Sequence, residues 1–168
     1  GELGSYVVAF HKSLEFHIYN ITEKTPYRRI TVEGSLHKYW NNGAHNFNDF
    51  GIEQIDEVLK QLKKDFGIVP ENCVLRCLEL GVNLETPYNS KQLLFQCLKH
   101  KTDRFKWVDT KDEGNYIQVK HQRHWIKVYD KKTHYKNKGF DIEKEILRFE
   151  IKYIKMKYLN DKGIYTLE

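Results

Sequence analysis

The chain has 168 residues, enough for one core, and we expect residues 1–168 to form a single domain, either complete or a fragment of a longer protein. An apolar fraction of 40% excludes a disordered chain. The lack of an apolar run of about 18 residues excludes a membrane-spanning helix. Three cysteines without a signal peptide favour a cytoplasmic location. The net charge of +5 is uneven, because residues 120–162 hold 13 Lys or Arg against 6 Asp or Glu, as is typical of polyanion binders.

The predicted elements follow from the spacing of apolar residues along the chain, since alternation indicates strands and a 3.6-residue period indicates helices. In chain order we expect a strand at 14–19, a strand at 30–40, a helix at 52–66, a buried central strand at 73–84, a helix at 91–99, strands at 105–108, 116–120 and 125–129, a polar excursion at 130–143, a strand at 147–151 and a short helix ending near 160. This order predicts the α+β class, with an antiparallel sheet of about five or more strands and helices on one face.

One face of this sheet carries an unusual mixture of side chains. With one face covered, alternate residues point to the open face. That set comprises His17, Tyr19, Glu33, His37, Lys127, Tyr129, Arg148 and Glu150. Imidazoles, carboxylates and bases together suit the binding of a divalent cation and a phosphate. The alternatives are an ordinary exposed His17 and a surface ion pair between Arg148 and Glu150, which contributes little.

Glu79 lies within the strand that we expect to be buried. A buried carboxylate without a partner costs several kcal/mol or shifts its pKa, so Glu79 requires a cation. A metal ion and a basic side chain from elsewhere in the chain both satisfy that requirement. Arg76 is not the expected partner, since it points to the opposite face of the strand.

The final helix is expected to carry a tyrosine near several lysines. Tyr158 lies at helical spacing from Ile151 and Ile154, so we expect its ring to point toward the protein body. Neighbouring lysines and a metal would make its hydroxyl a plausible nucleophile toward a phosphodiester. The alternative is a core tyrosine with a hydrogen-bonded hydroxyl.

Several short segments occur in a characteristic order. They are Val32-Glu33, His45-Asn46, a glutamate eight residues before Pro87, Ile126-Lys127-Val128-Tyr129-Asp130-Lys131, Leu147-Arg148-Phe149-Glu150, Tyr158-Leu159 and Gly163-Ile164. This order, covering roughly residues 14–167, resembles that of the gene II/X replication initiators of filamentous phages and their plasmid relatives. The chain has no His-hydrophobic-His triplet.

The resemblance implies an HUH-type endonuclease with an RRM-like sheet, a divalent ion (Mg²⁺ or Mn²⁺) and a catalytic tyrosine. It implies Tyr158 as the nucleophile, with Tyr153 as the alternative. The implied metal ligands are Glu79, Glu150, His45 and His37. The candidate DNA-binding residues are Lys127, Tyr129, Lys131, Arg148, Lys155, Lys157 and Asn46.

The implied activity is that of a rolling-circle replication initiator in a bacterial host cell. Such a protein nicks single-stranded or locally melted origin DNA, keeps a covalent 5′-phosphotyrosine and rejoins the ends, with a host helicase and polymerase as further partners and no membrane. Two alternatives stay open: a non-catalytic RRM-like module that binds single-stranded nucleic acid, and a relaxase or transposase of the same chemistry.

Overall fold

A computed structural model describes residues 5–23, 26–110 and 114–168. Contacts between Cα atoms divide the chain into two compact units, residues 1–70 and residues 71–168. No helix in the described ranges is both long and apolar enough to cross a bilayer.

The first unit is a three-stranded antiparallel sheet with two helices. The strands are β1 (Tyr6–His11), β2 (Leu14–Tyr19) and β3 (Ile30–Gly34), in that spatial order, and the helices are α1 (Leu36–Trp40) and α2 (Ile52–Phe66). Leu14 and Phe16 of β2 pack against Tyr39, Val58 and Leu62. The predicted helix at 52–66 is confirmed, and it ends at Gly67, whose φ of 66° is the left-handed conformation of a helix C-cap.

The strand predicted at 30–40 is wrong in its second half. Strand β3 ends at Gly34, and Ser35 then caps α1 by accepting a hydrogen bond of 3.2 Å from the backbone N–H of Lys38. The apolar residues Leu36 and Trp40 also fit helical spacing, so the pattern was ambiguous. His37 therefore lies on a helix and not on the open face of a strand.

The second unit is built on a five-stranded antiparallel sheet. After a 3₁₀ turn (Pro70–Asn72), its elements are β4 (Leu78–Glu85), α3 (Ser90–Gln96), β5 (Lys99–His100), β6 (Asp103–Arg104), β7 (Lys106–Thr110), β8 (Gly114–Lys120), β9 (His124–Asp130), α4 (Lys131–Lys136), β10 (Ile146–Tyr153) and α5 (Lys157–Asn160). The large sheet has the order β4-β10-β9-β8-β7, and β5 pairs with β6. The α+β prediction with an antiparallel sheet of five strands is confirmed.

The two faces of this sheet differ in chemistry. Leu94 of α3 packs on Ile117, Val128 and Leu147, all at most 6% exposed, so this is the apolar face. Opposite residues on neighbouring strands share a face. Arg148 is paired with Tyr129 and Glu150 with Lys127, and these residues alternate with Val128 and Leu147. They therefore lie on the other face, which we call the polar face.

The predicted central strand at 73–84 is wrong in position. Strand β4 begins only at Leu78 and lies at the edge of the sheet, paired with β10. Glu79 is consequently exposed rather than buried, and Cys77, expected in the core, is exposed as well. The apolar run reflected an amphipathic edge strand, not burial on both faces.

Two further expectations near the C-terminal end change. The polar excursion at 130–143 contains α4, capped by Asp130, which accepts a hydrogen bond of 3.1 Å from the backbone N–H of Thr133. Strand β10 runs to Tyr153, so Ile151 lies on a strand and not on the final helix. The helical face proposed for Tyr158 therefore does not exist, and its side chain is 46% exposed.

Candidate functional site

A hydrogen-bonded network occupies the polar face of the five-stranded sheet. Glu150 Oε1 accepts hydrogen bonds from the Tyr129 hydroxyl at 3.0 Å and from Arg148 Nε at 2.7 Å. Arg148 Nη1 donates to Asn83 Oδ1 at 2.9 Å. The side chains of Arg148 and Glu150 are only 11% and 10% exposed. This ion pair is therefore largely buried, unlike the surface pair that the sequence left as an alternative.

Gly81 provides the space that the Arg148 guanidinium occupies. Gly81 pairs with Glu150 across the two strands, and a Cβ atom there would lie 2.6 Å from Arg148 Cζ and closer still to Nη2. Both distances are well below van der Waals contact. The guanidinium thus lies directly over the strand backbone, and the side chain at position 81 determines whether it fits.

The carboxylates on the polar face influence one another. Partial removal of solvent and the like charge of Glu150 raise the pKa of the Glu79 carboxyl, while Lys152 and Lys127 oppose that shift. Burial, together with the charge of Glu150 and the hydrogen bond to it, raises the pKa of the Tyr129 hydroxyl far above its usual range. Tyr129 therefore acts as a hydrogen-bond donor to Glu150 and stays protonated at physiological pH.

Four of the predicted DNA-binding residues meet at the Tyr129 ring. Lys127 Nζ lies 4.9 Å from the ring centroid and Lys131 Nζ lies 5.8 Å from it, at cation–π distances. Arg148 is connected to Tyr129 because both side chains donate a hydrogen bond to the Glu150 carboxylate. Lys131 has no exposed surface, and Arg148 is 9% exposed. Lys127, partly exposed, is consequently the group of this cluster best able to reach a phosphate.

The two candidate nucleophiles form a stacked pair. The rings of Tyr153 and Tyr158 are 6.1 Å apart between centroids and almost parallel, at 3°. Met156 and Leu159 are the buried residues of this segment, whereas Lys155 and Lys157 are exposed beside Tyr158. Lys162 Nζ lies 5.4 Å from the Tyr158 ring centroid. A solvent-accessible phenol thus lies among cations.

Three histidines that the sequence-based reasoning missed converge at the same end of the sheet. His100, His121 and His124 each offer a ring nitrogen within 4.8 Å of the others. Their ring centroids are 5.0, 6.4 and 4.8 Å apart. The only sequence signal was a His-x-x-His spacing at 121–124, and His100 is 21 residues away from it. We call these three residues the histidine triad.

The histidine triad adjoins the tyrosine pair. Tyr153 pairs with His124 in the sheet register, and their ring centroids are 6.1 Å apart. Tyr153 lies three residues after Glu150 on one strand, so these side chains point to opposite faces. The His124 imidazole, and not the Glu150 carboxylate, therefore lies on the same face of the sheet as Tyr153. Among described residues, Glu79 and Glu150 do not join a group of three such ligands.

The predicted imidazole ligands belong to the first unit. His37 is 9% exposed, with Nε2 at 2.8 Å from Asn48 Oδ1 and its ring stacked on Phe50 at 4.5 Å. His45 stacks on Phe47 at 4.0 Å, and Asn46 between them is partly exposed. The ligand set inferred from the resemblance is thus divided, with His37 and His45 in residues 1–70 and Glu79 and Glu150 in residues 71–168.

The open face of the first sheet is aromatic. The Tyr6 ring lies 5.0 Å from His17 and 5.1 Å from Tyr19, and the Arg29 guanidinium lies 5.1 Å from the Tyr19 centroid. His17 Nε2 is also 2.7 Å from Glu15 Oε1. The structure therefore brings His17 and Tyr19 together on one face, as predicted, but in the unit that does not contain Lys127 and Arg148.

Comparison with protein-family models, with curated proteins and with solved structures gives no match. The resemblance to gene II/X initiators accordingly stays a prediction.

Proposed function

We propose that the chain is a metal-dependent DNA endonuclease that nicks one strand through a tyrosine, as a rolling-circle replication initiator does. The observation that carries this proposal is the exposed Tyr158 ring, stacked on Tyr153 at 6.1 Å and thereby linked to the histidine triad. A core tyrosine, the alternative role for Tyr158, would be buried, and this side chain is 46% exposed.

The chemistry required of the phenol is a transesterification. The Tyr158 oxygen attacks the scissile phosphorus in line, its proton passes to solvent or a nearby base, and the 3′ oxygen leaves and takes up a proton. The products are a free 3′-OH and a 5′-phosphotyrosine. One phosphoester bond forms as another breaks, so the step is reversible and permits rejoining.

The exposed lysines beside the phenol supply the electrostatic part of the proposal. Lys155 and Lys157 precede Tyr158 in sequence and are exposed. Positive charge next to the attacking oxygen holds the phosphate and stabilises charge that builds up in the transition state. Lys127 offers a further contact for the DNA backbone on the polar face.

A divalent cation is part of the proposal because it polarises a non-bridging phosphate oxygen. The resemblance implies Mg²⁺ or Mn²⁺ bound by Glu79 and Glu150, with His45 or His37 as an imidazole ligand. Glu150 points away from Tyr153, however, and one of its oxygens already accepts two hydrogen bonds. A cation that serves the tyrosine pair would have its nearest ligands in the histidine triad.

The test uses a random-sequence single-stranded oligonucleotide pool labelled at its 3′ end, with Mg²⁺, Mn²⁺ or Zn²⁺ added. We expect a labelled band that co-migrates with the protein after denaturation, because the downstream fragment stays attached through its 5′ phosphate. Tyr158→Phe should abolish this band and leave oligonucleotide binding nearly unchanged. Loss in Tyr153→Phe instead would transfer the role to Tyr153, and a band that persists in the double variant would reject the proposal.

A second candidate function, non-catalytic binding of single-stranded nucleic acid, is favoured by the aromatic face of the first unit. Tyr6 is 49% exposed beside His17 and Tyr19, and exposed rings on a sheet stack on unpaired bases. This function predicts binding without a metal and without a covalent product. Tyr6→Ala should then weaken oligonucleotide binding several-fold while leaving any covalent band unaffected.

A further inference from the structure

We propose that His100, His121 and His124 form a binding site for a divalent transition-metal ion of the Zn²⁺ class. The inference concerns metal binding, and it rests on the proposed function only where it assigns the ion a role beside Tyr153. It differs from the expectation of a Mg²⁺ or Mn²⁺ ion held by carboxylates.

The distances fit such an ion. His100 Nδ1 lies 2.9 Å from His121 Nε2, and all three ligand nitrogens lie within 4.8 Å of one another. Nitrogens in a tetrahedral zinc site are about 3.4 Å apart, given Zn–N bonds of roughly 2.0–2.1 Å. One separation in the triad is 2.9 Å and none exceeds 4.8 Å, so small rotations of the rings would complete the geometry.

A carboxylate outside the triad orients one of the rings. Asp103 Oδ2 lies 2.9 Å from His121 Nδ1, so a proton on Nδ1 is held by Asp103 and the Nε2 lone pair faces His100. Carboxylate–histidine pairs of this kind fix the tautomer of metal-bound histidines and increase their basicity. A histidine cluster assembled merely by packing does not require this outer carboxylate.

Two tight turns hold the four residues in place. His121 and His124 flank the turn between β8 and β9, where the His121 N–H donates to the His124 carbonyl at 2.9 Å. His100 pairs with Asp103 across the β5–β6 turn, in which Lys101 adopts a left-handed φ of 56°. Each turn contributes its first and last residue, so the backbone positions these side chains before any ion binds.

The three ligands are all imidazoles, and this indicates the class of ion. A neutral imidazole is the form that binds a metal. Three imidazoles without a direct carboxylate ligand suit Zn²⁺, Ni²⁺ or Co²⁺, whereas Mg²⁺ prefers oxygen ligands. Zinc sites with three protein ligands keep a fourth position for water or substrate.

The test is titration of the whole, chelator-treated protein with Zn²⁺ alone by calorimetry and with Co²⁺ alone by visible absorption. We expect one ion per chain and a tetrahedral Co²⁺ spectrum. His100→Ala, His121→Ala and His124→Ala should each weaken Zn²⁺ binding at least 10-fold, and Asp103→Asn should weaken it about 10- to 100-fold. His11→Ala, which removes an exposed histidine of the first unit, is the matched control and should bind as the parent chain does.

Circular dichroism of each variant verifies that it is folded. Binding that survives unchanged in the folded triple variant, or the absence of any stoichiometric Zn²⁺ or Co²⁺ binding, would overturn the inference. The covalent-band assay separates the two proposals. A protein that binds Zn²⁺ at the triad without forming a band keeps this site and loses the nicking function. A band formed by the folded triple variant keeps the nicking function and removes the role of the ion beside Tyr153, while Zn²⁺ binding by the parent chain still decides the site.

Discussion

At the scale of single residues, Gly81 controls the ion pair on the polar face. Alanine at a strand position is normally favoured over glycine by roughly 0.5–1 kcal/mol. Here the new Cβ would displace the Arg148 guanidinium from Glu150 and Asn83. Breaking a buried pair costs about 3–5 kcal/mol. We therefore expect Gly81→Ala to lower the free energy of unfolding by about 2–4 kcal/mol, measured by urea denaturation.

The control for this prediction is a double-mutant cycle with Arg148→Ala. Without the guanidinium the added methyl group meets no clash, so Gly81→Ala should cost little in that background. An equal loss in both backgrounds would show that position 81 acts through the backbone and not through Arg148.

At the scale of elements, Glu145 joins the start of α3 to the strand β10. Its Oε2 accepts a hydrogen bond of 2.9 Å from the backbone N–H of Ser90, and its Oε1 accepts one of 3.0 Å from Lys132 Nζ. The Ser90 bond, with Lys132, lowers the pKa of Glu145 below its usual value. Because the pKa of this carboxyl is lower in the folded than in the unfolded state, its charge stabilises the folded protein at any pH above the unfolded-state pKa. This stabilisation is lost as the pH falls through the folded-state pKa.

Glu145→Gln should therefore destabilise the protein by about 1 kcal/mol at pH 7, and the difference from the parent chain should shrink as the pH is lowered below the ordinary glutamate pKa of about 4.3. Urea denaturation at both pH values measures this. Glu143→Gln, at an exposed glutamate two residues earlier, is the matched control and should change stability little at either pH. A Glu145→Gln loss that does not depend on pH would contradict the role assigned to its charge.

Some secondary-structure elements can be predicted from the sequence alone, and others cannot. Helix α2 and the paired strands β8 and β9 could be predicted because one apolar period dominates each segment. The change from β3 to α1 could not, since Leu36 and Trp40 satisfy both periods and the local bond from Lys38 to Ser35 decides. The histidine triad could not be predicted either, because its ligands come from two turns of different sheets that only the tertiary fold brings together.

At the scale of the whole molecule, the charge is divided between the units. Residues 71–168 hold 20 Lys or Arg and 14 Asp or Glu, whereas residues 1–70 hold 8 and 9. A polyanion should therefore be attracted mainly by the second unit. Within it, Lys155 and Lys157 are exposed beside Tyr158, while Lys131 is fully buried. Lys162, 5.4 Å from the Tyr158 ring centroid, is exposed as well. The salt-dependent attraction near the phenol should thus come from three exposed lysines, of which Lys155 and Lys157 supply two.

The affinity for a single-stranded oligonucleotide should fall steeply with salt, because each phosphate neutralised on a single strand contributes about 0.7 to the slope of log affinity against log salt. Replacing both Lys155 and Lys157 by Gln should reduce that slope by about 1.4, as measured by fluorescence anisotropy over a range of salt concentrations. The matched control is Lys63→Gln with Lys64→Gln on α2, two exposed lysines of the first unit, which should leave the slope unchanged. Equal reductions in the two double variants would mean that the oligonucleotide responds to overall charge and not to a site near Tyr158.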